Sequence, residues 1–184
     1  PSSFRIMRQV LDRLEDSATG RLLPASFHCE VPPDRLRQAQ ATAAILGDEI
    51  HKRFPWAHYD CAGSTAFTLP TTTDPLQGLL NRTWLPTLSV TGAEGLPAFG
   101  DAGNVLRPYT AFKLSLRLPP LVQADVAVQE LKALLEDNAP YQARVTFETA
   151  GSATGWNAPG HAAWFDDALH AASQAHFGAD CAYI

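Results

Sequence analysis

"GNVLRPYTAFKLSLRLPP", residues Gly103 to Pro120, is the stretch from which the fold of this chain is read. Within it Thr110, Phe112, Leu114, Leu116 and Leu118 alternate with Tyr109, Ala111, Lys113, Ser115 and Arg117. A period of two marks a strand with one apolar face and one solvated face. Asn104 stands ahead of the strand, and Arg117 lies near its end on the less apolar face. Arginine is mostly exposed in proteins, so a solvated side chain is the ordinary account of Arg117.

Working outward, "PTLSVTGAE" has strand character, and the Gly- and Pro-containing "GAEGLPAFGDAGN" joins it to the opening strand as a long hairpin. Beyond the hairpin, "DVAVQELKALLEDNAP" places Val126, Val128, Leu131, Leu134 and Leu135 at amphipathic helical spacing. "YQARVTFETA" then predicts a strand. Ahead of the hairpin, "SSFRIMRQVLDRLED" carries Phe4, Ile6, Met7, Val10, Leu11 and Leu14 at helical spacing, with Ser2 or Ser3 as N-cap. "PPDRLRQAQATAAILGDEIHKRF" predicts a second helix, with prolines and Asp34 at its start and Lys52 and Arg53 near its end, as the helix dipole favours. Residues 56–82 are expected to be irregular, with a short helix over "DPLQGLLNRTW", as an insertion on a simpler core.

The resulting order is helix, strand, long loop, strand, helix, strand. It matches a β-α-β-β-α-β split unit that lacks its first strand. The expected class is α+β: a ferredoxin-like, mostly antiparallel sheet covered by helices, with an inserted helical and loop segment between Gly20 and Arg82. After the Gly-rich "GSATGWNAPG", a helix over "HAAWFDDALHAASQAHFG" and a strand start in "CAYI" change the style of the chain. A domain boundary is therefore expected near Gly151, giving domains 1–150 and 151–184. Opening at Pro1 with no initiating Met and stopping within "CAYI", the chain is expected to be a piece of a longer polypeptide.

Composition narrows the function classes. The 184 residues are 46% hydrophobic and 18% charged, sufficient for one good-sized core. A formal net charge of -5 with scattered basic residues argues against nucleic acid as a partner. No apolar run approaches the roughly 20 residues that span a bilayer, so no membrane role is expected. Cys29, Cys61 and Cys181 are odd in number and far apart, an inventory that suits a reducing, cytoplasmic setting.

Candidate chemical groups are few. His58-Tyr59-Asp60 has the His-x-Asp spacing of a shared metal, but it follows "RFPWA" rather than an apolar run, and no Glu-Glu pair completes a two-metal site. In "HCE", only His28 and Glu30 would share a strand face, and two ligands do not close a site. His161, His170 and His176 offer no i, i+4 histidine pair. No nucleophile elbow, P-loop or dinucleotide fingerprint occurs. No catalytic residue and no metal ligand is therefore assigned within the chain.

Taken in order, "PSSFRIMRQVLDRLEDSATGRLLP", "LSVTGAEG", "GNVLRPYTAFKLSLRLPP", "GWNAPG" and "HFGADCAYI" resemble the dizinc metallopeptidase family of carnosinase, cytosolic dipeptidases, aminoacylase, carboxypeptidase G and succinyl-diaminopimelate desuccinylase. The resemblance is nearest to the carnosinase-like dipeptidases. It implies that residues 1–150 are the lid and dimerisation domain, and residues 151–184 the first part of the returning catalytic domain. It further implies a homodimer and a parent enzyme that hydrolyses dipeptides or N-acyl amino acids with two zinc ions, whose ligands lie outside this chain. The chain alone would be inactive.

Two lid residues match positions to which the family gives a substrate-binding role. Asn104 resembles the residue that polarises the scissile carbonyl or binds substrate in the partner subunit's site. Arg117 resembles the arginine that holds the substrate carboxylate, a bidentate task for which the guanidinium fork is suited and Lys is not. Thirteen residues of extended strand between them would cover about 40 Å, so, unless Arg107-Pro108 bends the chain sharply, the two would serve different active sites of a dimer. A strand missing from the sheet also leaves backbone unpaired, so the piece is expected to dimerise, swap strands, or cover the gap with Ala182 to Ile184. The competing function is a freestanding ferredoxin-like module that binds a small regulatory ligand or mediates assembly without catalysis.

Overall fold

The opening strand forms where its alternation places it. In the computed structural model, which describes residues 1–61 and 64–183, β6 spans Ala111–Arg117 and pairs antiparallel with β5, Thr87–Glu94. The register sets Arg117 opposite Thr87, Ser115 opposite Ser89 and Ala111 opposite Glu94, with an irregularity between Val90 and Gly92. Phe112, Leu114, Leu116 and Leu118 are half-buried, while Ala111, Lys113, Ser115 and Arg117 are exposed. The predicted long hairpin is thus present, with the predicted faces.

Four shorter strands precede it: β1, Glu15–Asp16, pairs with β2, Arg21–Leu22, and β3, His58–Cys61, pairs with β4, Ser64–Phe67. The helices are α1, Ser3–Leu11; α2, Pro33–Leu46; α3, Glu49–Lys52; α4, Pro75–Thr83; α5, Ala124–Glu136; and α6, Ala163–Phe177. The class is α+β, as expected. Among the described residues every sheet has two antiparallel strands.

Several expectations are corrected. "YQARVTFETA" is not a strand of any sheet, although Ala143, Val145 and Phe147 are half-buried and Arg144, Thr146 and Glu148 exposed. Alternation reports which face meets a core; a ladder also needs a partner strand, and among the described residues this segment has none. The long second helix is two, because Gly47 adopts φ 51 and ends α2, leaving α3 as a separate short turn. The irregular region contains the β3–β4 hairpin. Val126, placed on the apolar face of α5, is 60% exposed; the buried stripe is Ala124, Ala127, Leu131 and Leu135. Ala182 and Tyr183 form no strand, and Ile184 lies outside the described residues.

By packing, the chain divides into two compact units. The first comprises Pro1–Cys29 and Trp84–Asn157. Its core gathers Val10 of α1, Leu14 just after it, Leu22, Phe27, Val122, and Ala127, Leu131 and Leu135 of α5, with Leu88, Leu114, Leu116, Val145 and Phe147 packed against them. Each fully buried Leu or Phe contributes about 1.5–3 kcal/mol of transfer free energy, which makes this cluster the main source of the unit's stability. Arg13 ties the two helices together by donating to the carbonyls of Leu134 (3.2 Å), Asp137 (2.6 Å) and Asn138 (2.6 Å), groups that the end of α5 would otherwise leave unpaired.

The second unit comprises residues 30–83 and 158–184, as described through Tyr183. Ile50 and Leu79 are its buried apolar residues on α3 and α4, and Thr42 of α2 is its buried polar one. The Thr42 hydroxyl donates to the Tyr183 carbonyl at 2.6 Å and accepts from the Tyr183 N–H at 3.2 Å.

Candidate functional site

Arg117 ends β6 with its side chain on the solvated face, across from Thr87. Neighbouring strand positions on that face carry Ser115, Lys113 and, on β5, Ser89, all exposed. Among the described residues Arg117 has no carboxylate within ion-pair distance and no hydrogen-bond partner. The position therefore presents a full guanidinium fork to solvent, held at its base by a paired strand, and such a fork accepts a carboxylate in bidentate fashion.

Asn104 lies on a different kind of backbone. It is the central residue of a three-residue turn closed by the Val105 N–H on the Gly103 carbonyl at 2.8 Å, and it is exposed. The thirteen-residue extended bar is corrected here: β6 has only seven residues, about 23 Å at about 3.3 Å each. Residues 104–110 are not strand. Asn104 thus belongs to a loop, and Arg117 to the hairpin's paired end.

That loop is closed at its base by Gly95 and Tyr109. Gly95 has φ +81, and a Cβ there would come within 2.3 Å of the Tyr109 carbonyl oxygen, so the strands come together through a position only glycine can fill. Arg107 Nε donates to the Gly95 carbonyl at 3.2 Å, and the Ser3 and Thr110 hydroxyls meet at 2.8 Å. Beyond the closure the loop is apolar and uncovered: Phe99 is 99% exposed, Leu106 78% and Val105 69%.

Other residues singled out in the sequence have local roles. His28 Nε2 lies 2.7 Å from the Leu22 carbonyl, a bond that ties the chain back to β2. Burial pushes the Cys29 thiol up, away from thiolate chemistry. Of the His58 and Asp60 pair, the Asp60 side chain lies outside the described residues. Among the described residues no group of three or more His, Cys, Asp or Glu side chains is placed to hold a metal ion.

One polar cluster was not foreseen. His161 Nδ1 lies 2.8 Å from Asp166 Oδ1, and the Tyr183 hydroxyl donates to the same oxygen at 3.0 Å. The His161 bond, followed by that from Tyr183, holds the Asp166 carboxyl below its ordinary value; desolvation and the neighbouring carboxylate push Tyr183 up to about 12. Spacing could not reveal this cluster, because Tyr183 follows the helix and returns to it.

Comparisons with known proteins agree on the fold. The chain is similar to a di-peptidase of Saccharomyces cerevisiae, Dug1p, with a TM-score of 0.62 at 18% identity, over 98% of this chain and 36% of that one. It is also similar to human carnosine dipeptidase 1, with a TM-score of 0.61 at 16% identity, over 100% of this chain and 37% of that one. A weaker likeness, TM-score 0.46 at 16% identity over 73% of this chain and 33% of the other, is to an M20 family metallo-carboxypeptidase from Sulfolobus solfataricus. The chain thus spans little more than a third of the length of the solved dipeptidases it matches. No protein-family model matches it, and no curated protein matches it in sequence.

Proposed function

We propose that this chain is the lid and dimerisation part of a zinc-dependent peptidase or amidohydrolase that acts on dipeptides or N-acyl amino acids. On this reading residues 1–150 are the lid, residues 151–184 begin the returning catalytic segment, and the whole enzyme works as a cytoplasmic homodimer. The observation that carries it is Arg117: an exposed guanidinium without a carboxylate partner among the described residues, at the paired end of a hairpin, in a fold shared with two dipeptidases. A dipeptide or N-acyl amino acid always ends in a carboxylate, which that fork would hold.

Asn104 is the second substrate-binding residue of the proposal, its amide offered to the scissile carbonyl from the loop. The apolar side chains around it, Phe99, Val105, Leu106 and Tyr109, support an association that brings this loop to another subunit. The two zinc ions of the proposed enzyme are assigned, by the resemblance of this chain to the lid, to segments outside it, and no catalytic step is assigned to residues within it. On this reading the chain alone is inactive.

The test is made in the longer polypeptide that contains this chain. Arg117→Lys should raise KM for a free-carboxylate substrate about 10-fold to 100-fold, the worth of a charged hydrogen-bonded pair, with a much smaller effect on a C-terminally amidated analogue. Equal KM values for the variant and the unaltered enzyme would overturn the assignment of Arg117.

A further inference from the structure

We infer that the turn over Pro140–Gln142 is a strained conformational element for which Arg13 is the catch. With Arg13 engaged, the turn is held left-handed and residues 143–149 lie on the core; with Arg13 released, the turn relaxes and that segment loosens. The inference rests on backbone geometry and does not depend on the catalytic reading. Among the described residues, the non-glycine positions with left-handed backbone are Asn138 (φ 48), Tyr141 (φ 57) and Gln142 (φ 55), all within one short stretch. Asparagine tolerates that region, but tyrosine and glutamine are disfavoured there. The Ala143 N–H donates to the Pro140 carbonyl at 3.1 Å, so Tyr141 and Gln142 are the central pair of a turn that ordinarily takes Asn-Gly. Gln142 thus stands where glycine is preferred.

Two tethers hold the strain, one on each side of the turn. Ahead of it, Arg13 donates to the carbonyls of Asp137 and Asn138, both at 2.6 Å, and α1 packs against the turn itself. Behind it, the Phe147 N–H donates to Glu136 at 2.7 Å, and Val145 and Phe147 pack against the core. The chain must therefore leave α5, reverse, and come back to the last residue of that same helix. Pro140 fixes its own φ and keeps Ala139 extended at φ -55, ψ 138, so the reversal falls on Tyr141 and Gln142. Such conformations persist only where the surroundings over-determine them. Glu136 belongs to the helix the turn leaves, whereas Arg13 reaches it from the end of α1. Tyr141 is 61% exposed, so its own side chain contributes little to holding the turn. Arg13 is therefore the group whose loss lets Asp137 and Asn138 extend.

The experiment is a double-mutant cycle in the full chain, read by native-state amide exchange. Gln142→Gly should slow exchange at Leu131 and Leu135 of α5 about threefold to tenfold, the relief of a left-handed side chain less the freedom glycine adds to the unfolded chain. Arg13→Met should speed exchange at Ala143 and Phe147 about tenfold or more relative to the α5 amides, which marks local release. In the Arg13→Met background, where the turn has relaxed, Gln142→Gly should change α5 exchange by less than about twofold. Unchanged or faster α5 exchange in Gln142→Gly alone would overturn the strained turn. An equal gain in both backgrounds, or exchange at Ala143 and Phe147 that moves only in step with α5, would overturn Arg13 as the catch. Should Arg13→Met not fold, Arg13→Lys, which sets one ammonium in place of a fork, supplies the second background and is judged by the same outcomes.

Discussion

Thr42 holds the backbone of Tyr183 from both sides, its hydroxyl donating to the carbonyl at 2.6 Å and accepting from the N–H at 3.2 Å. Thr42 is only 1% exposed, so neither bond can be replaced by water without opening the unit. Thr42→Val keeps the shape and removes both bonds. It should lower unfolding free energy by about 1–3 kcal/mol, the cost of leaving buried polar groups unpaired, whereas Thr42→Ser should retain most of it. Denaturant unfolding with equal midpoints for Val and Thr would show the bonds to be inconsequential.

Gly95→Ala should damage the hairpin more than an ordinary surface change. The added Cβ would lie 2.3 Å from the Tyr109 carbonyl oxygen, at a φ of +81 that alanine disfavours. A loss exceeding about 1 kcal/mol is expected, together with chemical-shift changes at Tyr109 and Thr110. A melting temperature unchanged by the substitution would contradict the close approach.

Glu136 supplies a pH-dependent tie. Its carboxylate accepts from Lys132 and from the Phe147 N–H at 2.7 Å, and these bonds, Lys132 first, hold its pKa below the ordinary value of 4.5. A lowered folded-state pKa means that the contribution is complete above the unfolded value and is lost as pH falls through the folded one. Protection of the Phe147 amide should therefore decline below pH 4.5. Glu136→Gln, which can still accept the bond but does not titrate, should remove that pH dependence, and persistence of the dependence in the Gln variant would assign it to another group.

Self-association should pass through the loop that Gly95 and Tyr109 close. Replacing Phe99 and Leu106 together with Ser removes the two most exposed large side chains there. In sedimentation of the longer polypeptide, the proposed dimer should weaken about tenfold or more, as expected for losing central apolar anchors, with the monomer's secondary structure intact. An unchanged dissociation constant would place the interface elsewhere.

The legible part of the fold was the part governed by local repetition. Phe112 to Leu118 alternate, and the hairpin follows; Leu131 and Leu135 recur at helical intervals, and α5 buries them. Arg117 and Asn104 were legible as polar residues flanking that strand, and as matches to a known pattern, but not as residues on different backbones. Asn104 sits in a turn closed by the Val105 N–H on the Gly103 carbonyl, and the base of its loop is closed by Gly95 meeting Tyr109, fourteen residues away in sequence.

Periodicity failed where the outcome depended on a distant neighbour. Residues 143–149 have a strand's alternation, which their sequence alone determines, because apolar side chains at every second position turn to the core. Whether they join a sheet depends on a partner strand, and among the described residues none pairs with them. The break at Gly47, the return of Tyr183 to Thr42 and the cluster around Asp166 are of the same kind. The sequence by itself determined the β5–β6 hairpin and its faces and the existence of most helices, since those follow from residue spacing, but not where α2 ends or the full buried stripe of α5. The tertiary structure decided which edges are paired, which loops close and which charges stand free, because hydrogen bonds between remote segments are set by packing, not by order along the chain.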